Sequence, residues 1–369
     1  MTRGTRRARL DWKAAVGIAL GVGLLVYTLR DVDAREVLGE IGRADPWLFL
    51  LGVAATTAPM AIRAWRWKAL LQPVLAETAF RSRFRATMIG FMVNNVLPAR
   101  IGEFARAYAL SRMEPVPLVA SLGTLVLERI LDGVVVVTFL FLAMALPGFP
   151  ALDAVGVDDP AGAARVVMAI MGGLLLVLAV LVLWPGRAVA AAGAVAGRLL
   201  PESFHRPLID ALEAFLAGIG ALRDPRLLFR AAHWSVWVWL VPGLGFWLGF
   251  RAFDIHVPFA AALFLQSLIA LSVSLPSAPG FFGLWEAAAR LGLHTIYGVP
   301  LEKAMGFAIG FHMGGFLAVT IWGLVHAWQL GLSLGEVERS EAVVERAVEG
   351  DATSVARGQQ PARQQEGRP

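Results

Sequence analysis

A group of polar and ionisable residues interrupts an apolar part of the chain between Asn94 and Arg112, in the segment NNVLPARIGEFARAYALSR. The segment contains two adjacent amides, a proline, three arginines and a glutamate. Such groups are costly at membrane depth, so they usually face a protein interior or a water-filled cavity. Arginine suits phosphate recognition because its planar fork binds two oxygens and stays charged. The segment therefore predicts one half of a polar site inside a membrane protein.

The side chains that could contact a ligand fall in two parts of the chain. Arginines would hold phosphate. Carboxylates would balance the arginines in the empty site or hold a cationic aminoacyl group, and amides suit either role. A helix that restarts at Gly102 would add backbone donors for an anion. The predicted substrate-binding residues are Asn94, Asn95, Arg100, Glu103, Arg106, Glu128, Arg129, Asp132, Ser274, Ser277 and Glu286.

The charged candidates also have a structural interpretation, as buried ion pairs that fix the helices. Glu128 and Asp132 are spaced i, i+4 and share a helix face, with Arg129 adjacent, so Arg129 can pair with either acid. Glu103 and Arg106 are spaced i, i+3 and can pair in the same way.

The remaining candidates have a structural interpretation as helix caps. The amides of Asn94 and Asn95 can satisfy backbone groups at a broken helix. Glu286 lies one turn past a predicted helix start, where a carboxylate complements the helix dipole.

The composition indicates an integral membrane protein with an all-α fold. The chain is 57% hydrophobic and 17% charged, whereas about a quarter of the residues of a soluble domain are charged. Long apolar runs recur along it. It has no cysteine, which excludes disulfides and thiolate chemistry. The net charge of +5 is spread over loops, which indicates topology and contact with anionic lipid rather than nucleic acid.

The apolar runs predict a polytopic helical bundle of about six full spans and two re-entrant hairpins. The basic arm 1–12 and a disordered tail 332–369 should both be cytoplasmic, flanking a membrane domain 13–331 in a bacterial inner membrane. The second span should end in RAWRWK, where Trp65, Trp67 and neighbouring cations suit an interfacial anchor. The predicted spans are Lys13–Leu29, Pro46–Arg63, Leu118–Leu146, Ala164–Trp184, Ala231–Phe250 and Leu301–Leu330.

Two pairs of apolar arms are shorter than the about 20 residues that a membrane span needs, and each pair is broken by proline and glycine. Pro98 cannot donate a backbone hydrogen bond and pushes Leu97 out of the helical region, so a helix should end there and restart near Gly102. Pro276 and Gly280 should break the second pair. The predicted arms are Phe84–Leu97 with Ile101–Arg112, and Pro258–Leu275 with Phe281–Ile296.

The two breaks share a sequence pattern. LPARIGEF at Leu97–Phe104 and LPSAPGFF at Leu275–Phe282 both fit L-P-x-x-x-G-x-F. Each follows an arm that becomes polar near its end and leads into an arm with an acid, Glu103 or Glu286. Because the loop charges place the hairpins on opposite sides of the membrane, the pattern predicts an inverted repeat with a binding site near the midplane. The alternative is a chance match between common residues.

The motifs NNVLPARIGEFARAYAL, LERILDGV and LPSAPGFFGLWEAA resemble the transmembrane flippase-like domain of bacterial lysylphosphatidylglycerol synthases, over most of the chain. The resemblance implies a multi-span fold that moves aminoacylated phosphatidylglycerol, or other lipids and lipid-linked sugars in single-domain members, between leaflets. In the bifunctional members a soluble acyltransferase-like domain follows the membrane part. Here a polar tail follows, so we expect no lysyl transfer. The turn Ala278–Gly283 also departs from the glycine-rich turn of many members.

No recognisable catalytic motif accompanies these features. The six histidines show no HExxH or paired metal spacing, and no Walker loop is present. We therefore expect no catalytic residue, no metal and no cofactor, and glycines in GFRAF and GFHMGG should serve close helix packing. A lipid flippase or scramblase is the leading hypothesis. The alternatives are a membrane enzyme of lipid or polyprenyl-phosphate metabolism, with Glu103 or Asp132 as acid or base, and an accessory partner of a separate glycosyltransferase or lipid-modifying enzyme.

Overall fold

The computed structural model describes residues 12–97, 101–150, 186–187, 189–190, 193–194, 224–275, 278–333 and 335–336, with side chains from Ile18 onward. Several predictions fall outside this part of the chain: the basic arm, the span Ala164–Trp184 and most of the tail. Pro98, Arg100, Pro276 and Ser277 are also outside it. Every regular element among the described residues is helical, which confirms the all-α prediction.

The first half of the chain contributes seven described α-helices. Their bounds are α1 Trp12–Leu29, α2 Ala34–Arg43, α3 Pro46–Thr57, α4 Pro59–Leu71, α5 Phe80–Val96, α6 Gly102–Ser111 and α7 Leu118–Ala145. The second half contributes four more, with two irregular helical segments. Their bounds are α8 Pro225–Ala252, α9 Phe259–Ser272, a 3₁₀ turn Pro279–Phe281, α10 Leu284–Ala289, a π-helical segment Arg290–Ile296 and α11 Leu301–Gln329.

The second span begins as predicted but continues further. Asp45 caps it, since its Oδ1 accepts the backbone N–H groups of Trp47 and Leu48 at 2.9 Å. α3 ends at Thr57, and α4 restarts at Pro59 and runs to Leu71. A first-turn proline is tolerated at a helix start because its missing N–H would have no partner there.

The segment between the first two spans is also more ordered than expected. The charged segment Arg30–Asp45, which lies between the two predicted spans, contains α2, a helix whose N-terminus is capped by Asp33. The Asp33 Oδ1 atom accepts the backbone N–H of Arg35 at 2.7 Å. Local features of the sequence favour this helix. A capping aspartate precedes it, and Glu36 in the first turn and Arg43 in the last turn complement the helix dipole.

Two helices in the described residues are long and apolar enough to cross a bilayer. They are the combined segment Pro46–Leu71 and Leu301–Gln329, and two shorter apolar helices are Ile18–Leu29 and Phe259–Ser272. Large apolar side chains such as Trp47, Trp322 and Trp328 are exposed on the outside of the bundle, as expected for a lipid-facing surface. The six full spans and the re-entrant geometry stay predictions.

The first helical hairpin is held together by backbone contact. α5 ends at Val96, α6 begins at Gly102, and the two helices pack along one another. A Cβ atom at Gly102 would lie 2.2 Å from the carbonyl oxygen of Gly90, so only glycine permits this approach. The arms of the hairpin are thereby fixed at the point where α6 starts.

The second break is a tight turn packed against α1. Gly280 and Gly283 adopt φ values of 68° and 90°, which favour glycine. A Cβ atom at Gly283 would lie 2.1 Å from the carbonyl oxygen of Gly21. The chain's first helix is therefore seated directly on the turn that precedes α10.

Candidate functional site

A buried ion cluster lies where α4, α6 and α7 meet. The carboxylate of Glu128 accepts a bidentate pair from Arg106, at 2.6 Å from Nη1 and 3.1 Å from Nη2. Asp132 accepts from Arg63 Nη1 at 2.7 Å and from Arg66 Nη1 at 2.6 Å. All five side chains are at most 6% exposed. Three helices are thus joined by charges that have left water together.

Arg129 extends the cluster toward its edge. Its Nη2 atom lies 2.8 Å from Glu128 Oε1 and 3.5 Å from Asp132 Oδ2. Arg129 therefore pairs with both of the acids that the sequence analysis offered as partners. The side chain is 39% exposed. Glu103, half-buried in the first turn of α6, also attracts Arg129 electrostatically. The sequence allowed Arg106 to pair with Glu103 at i, i+3. In the structure Arg106 instead makes its bidentate bond with Glu128 on α7.

The interfacial anchor predicted at RAWRWK is wrong for three of its members. Arg63, Arg66 and Trp67 are 5%, 0% and 0% exposed, whereas Trp65 is 49% exposed and the Lys68 side chain 36%. The tryptophans and cations of this stretch match the composition of a membrane interface. The two arginines are buried because α7 supplies two carboxylates, which a low-dielectric interior tolerates only when they are ion-paired.

Uncharged groups complete the cluster. The indole N–H of Trp239 on α8 donates to Asp132 Oδ1 at 3.1 Å, and Arg66 Nη1 donates to Ser235 Oγ at 2.8 Å. The guanidinium of Arg106 lies 4.0 Å from the centre of the Trp67 ring, within cation–π range. These partners orient the arginines and add α8 to the assembly.

A cavity of about 280 Å³ lies beside the cluster, between α3, α4, α5, α8, α9, α10 and α11. Its wall is mainly apolar, and Arg63 belongs to both the cluster and the wall. The polar or hydrogen-bonding side chains on the wall are Thr56, Thr57, Arg63, Asn95, Trp239, Gln266, Trp285 and His312. An apolar pocket with a few convergent polar groups is the usual form of a small-molecule site.

The two helix breaks both reach this cavity. Asn95, at the end of α5, and Phe281, in the 3₁₀ turn of the second break, both line it. The Asn95 amide donates to Thr320 Oγ1 on α11 at 3.0 Å. Asn95 therefore combines a place on the wall with a structural bond.

Asn94 adopts the capping role. Its Oδ1 atom accepts the backbone N–H of Gly102 at 2.8 Å, across the break between α5 and α6. The amide thereby satisfies the first free donor of α6.

Glu286 is held by two donors at the other side of the cavity. Its Oε2 atom accepts the backbone N–H of Gly283 at 2.7 Å, a local cap of α10. Its Oε1 atom lies 2.6 Å from Nδ1 of His312, and both side chains are buried. The predicted dipole partner is therefore also one half of a buried acid–imidazole pair.

Other residues of the second hairpin lie away from the site. Ser274 is exposed, donates its hydroxyl to the carbonyl of Ala270 at 2.8 Å and is not on the cavity wall. The cavity instead uses Gln266 and His312, which the sequence interpretation did not select. Gln266 donates to the carbonyl of Trp239 at 2.7 Å, and its Oε1 atom is buried with no partner among the described residues. A glutamine and a histidine inside otherwise apolar helices were the available signals.

The cluster carries an excess of positive charge. Four arginines face two carboxylates in contact, and Glu103 adds one more acid near Arg129. Even with Glu103 included, positive groups outnumber negative ones. The Nε atoms of Arg63, Arg66 and Arg106 are buried and have no hydrogen-bond partner among the described residues. The site is thus electrostatically complementary to an anion.

Comparisons with known proteins agree on a membrane family. The chain is 25% identical to Glycosyltransferase AglD of Haloferax volcanii over 93% of its own length, and it spans 59% of that relative. A UPF0104 membrane protein of Methanothermobacter thermautotrophicus is 23% identical, with 83% of this chain and 90% of the relative covered. Another, from Methanocaldococcus jannaschii, is 33% identical over 37% of this chain and 40% of the relative.

A family match covers most of the helical region. Residues 14–323 match the family described as Lysylphosphatidylglycerol synthase TM region. This range includes the ion cluster, the cavity and both helix breaks. The chain is therefore a membrane protein that belongs to the lysylphosphatidylglycerol synthase transmembrane-region family.

Proposed function

We propose that this protein moves an anionic lipid headgroup, on a phospholipid or a lipid-linked phosphate, between the two leaflets of a membrane. The observation that carries the proposal is the excess of buried guanidinium groups beside a largely apolar cavity. The family supports a lipid-related role, and the headgroup charge is our inference from the site.

Arg63 belongs to both the ion cluster and the cavity wall. A buried charge is expensive unless it is paired, so a cluster with more guanidinium groups than carboxylates favours any anion that can reach it. Arg63 lines the cavity with an unpartnered Nε, while its Nη1 is held by Asp132 and Glu128. An incoming phosphate oxygen would meet a donor that is already oriented. Binding would neutralise positive charge instead of burying a new one.

The shape of the cavity suits an amphipathic ligand. Its volume of about 280 Å³ lies just below the range of about 300–1,000 Å³ that is usual for ligand sites, so it suits a headgroup rather than a whole lipid. Aromatic and aliphatic side chains make up most of the wall, including Phe91, Phe246 and Phe316. The acyl chains would remain among the lipid-facing helices while the headgroup is sheltered.

In the proposed mechanism the two hairpins are re-entrant, enter from opposite faces and form an inverted repeat. Asn95 lies beside the first break and Phe281 lies in the second. Their positions on the wall of one cavity support this arrangement. A midplane site at broken helices is typical of inverted-repeat transporters. Both termini would lie in the cytoplasm, with the protein in a bacterial cytoplasmic membrane.

A vesicle assay tests the proposal. Purified protein is reconstituted with labelled phosphatidylglycerol, and headgroup movement is followed by chemical quenching of the label in the outer leaflet. A hydrogen bond to a charged group contributes about 1.5–3 kcal/mol, so Arg63→Gln should slow movement by about tenfold or more. Arg81→Gln, which changes an exposed arginine of α5, is the matched control. Equal rates for wild type and Arg63→Gln at equal folded content contradict the site, and no movement by wild type contradicts the function.

Similarity to a relative named as a glycosyltransferase favours one second candidate. The chain would then act on, or serve an enzyme that acts on, a polyprenyl-phosphate sugar. Mass spectrometry of lipids incubated with the protein separates the two, because a transporter leaves its lipid chemically unchanged. Co-purification of a glycosyltransferase without lipid movement would favour the accessory role.

A further inference from the structure

The buried pair of Glu286 and His312 is separate from the ion cluster around Arg63. His312 and Arg63 nevertheless line the same cavity. His312 is 8% exposed and lines the cavity, and Glu286 is 2% exposed behind it. The Nδ1 to Oε1 distance of 2.6 Å is short, which is typical of a hydrogen bond to a charged acceptor.

An ionised Glu286 sets the tautomer of the imidazole. Glu286 Oε2 accepts the Gly283 N–H, and an ionised carboxylate accepts a second hydrogen bond at Oε1, which lies 2.6 Å from His312 Nδ1. His312 must then carry its proton on Nδ1. In neutral His312 the Nε2 atom has a lone pair, and among the described residues the structure gives it no hydrogen-bond partner.

Aromatic rings and one carboxylate surround this imidazole. The ring of Trp285 stacks on it with centroids 4.8 Å apart and planes at 6°, and Phe282 lies 4.9 Å away. Aromatic faces attract cations. Glu286 supplies a full negative charge within contact distance.

Few other charged groups face His312 from the elements packed around it. α4 contributes Arg63 across the cavity, while α3, α5 and α8 contribute only uncharged side chains to the wall. α2 approaches α11 at Gly306, where Glu40 lies. In the π-helical segment, Arg290 bonds the carbonyl of Thr28 and pairs with Asp31. Glu286 is thus the acid in contact with His312.

We propose that His312 takes up one proton when an anionic headgroup enters the cavity. A proton from solution adds to the Nε2 lone pair, the Nδ1–H bond to Glu286 is kept, and the pair changes from net negative to neutral. The new Nε2–H then donates to a phosphate oxygen. At high pH the same atom would present a lone pair to that oxygen. The inference rests on the proposed anionic cargo and adds that its binding is coupled to protons.

If binding takes up one proton, the ligand binds more tightly as pH falls, by up to about tenfold per pH unit. Histidine is the side chain that titrates between about pH 5 and 8. The phosphodiester of phosphatidylglycerol stays singly negative over that interval, so the lipid itself contributes no proton.

Calorimetry of the purified, detergent-solubilised full chain tests the coupling directly. Dihexanoyl phosphatidylglycerol is titrated in buffers of different ionisation enthalpy, which counts protons bound per lipid without any transport measurement. We expect uptake approaching one proton in wild type at the upper end of that pH interval. We expect none in His312→Asn, whose amide keeps a donor near Glu286 but cannot titrate. His294→Asn is the matched control, because His294 bonds the Val299 carbonyl through Nδ1 and lies off the cavity wall.

The outcomes separate this inference from the proposed function. Binding of the lipid with no proton uptake in wild type overturns the coupling and leaves lipid transport standing. Uptake that persists in His312→Asn assigns the proton elsewhere and also overturns it. Absence of binding at any pH overturns the anionic cargo itself. If His312→Asn does not fold, the wild-type proton count still decides.

Discussion

Removing the charge of Glu128 should destabilise the protein more than any single change at its surface. Glu128 is fully buried, and its Oε1 atom lies within 3.3 Å of nitrogen atoms of Arg63, Arg66, Arg106 and Arg129. Glu128→Gln preserves the shape but leaves Arg106 without its carboxylate partner, and among the described residues Arg63, Arg66 and Arg129 keep only Asp132. Removing one partner of a buried ion pair costs about 3–5 kcal/mol.

The magnitude is measured by SDS titration of the purified protein, with unfolding followed by circular dichroism. Glu77→Gln is the matched control, because Glu77 makes the same kind of pair with Lys68 on the surface, where its side chain is 82% exposed. Exposed pairs of this kind contribute little, so the control should leave the midpoint unchanged.

A double variant tests whether charge rather than shape is responsible. Arg106→Gln in the Glu128→Gln background removes the bidentate partner, so the two losses should not add. Coupling between residues in contact is typically about 0.5–3 kcal/mol. A midpoint of Glu128→Gln equal to that of Glu77→Gln, or strictly additive costs in the double variant, would refute the view that this cluster holds α4, α6 and α7 together.

Two smaller predictions concern the helix breaks and use the same unfolding assay. Asn94→Ala removes the acceptor of the Gly102 N–H, and loss of such a cap should lower the free energy of unfolding by about 1 kcal/mol. Asn94→Asp keeps an acceptor oxygen and should retain most of that stability. Equal midpoints for both variants would argue against capping. Gly283→Ala places a Cβ at φ 90° and against the backbone of α1, so the conformational penalty alone should be about 1–2 kcal/mol. Gly23→Ala is the control and should cost little, because the added Cβ would meet nothing within 4 Å. A similar loss of stability at both sites would contradict the packing of Gly283 on α1.

Local signals in the sequence were sufficient for the all-helical class and for the end of α5. Nearest-neighbour effects of Pro98 predicted a helix end at Leu97, and α5 ends at Val96. The i, i+4 spacing of Glu128 and Asp132 likewise placed both acids on one face of α7.

The partners of those acids could not be obtained locally. Arg63 and Arg66 lie more than sixty residues before Asp132, and Trp65, Trp67 and Lys68 beside them have the composition of a membrane interface. Which environment they occupy depends on tertiary contact with α7. Arg106 shows the same effect, since Glu103 was its nearest sequence partner but the buried carboxylate of Glu128 gains more from a bidentate guanidinium.

The contact between Gly21 and Gly283 has a consequence for synthesis. α1 is synthesised before the turn at Gly283 that packs against it. More than 250 residues separate the two in the sequence, so the turn is synthesised much later. A contact between residues so far apart in sequence forms late, because the entropy of closing the intervening chain must first be overcome. Until then the glycine face of α1 has no packing partner in this turn. An N-terminal deletion that removes this face would disturb the distant second turn while leaving the ion cluster intact.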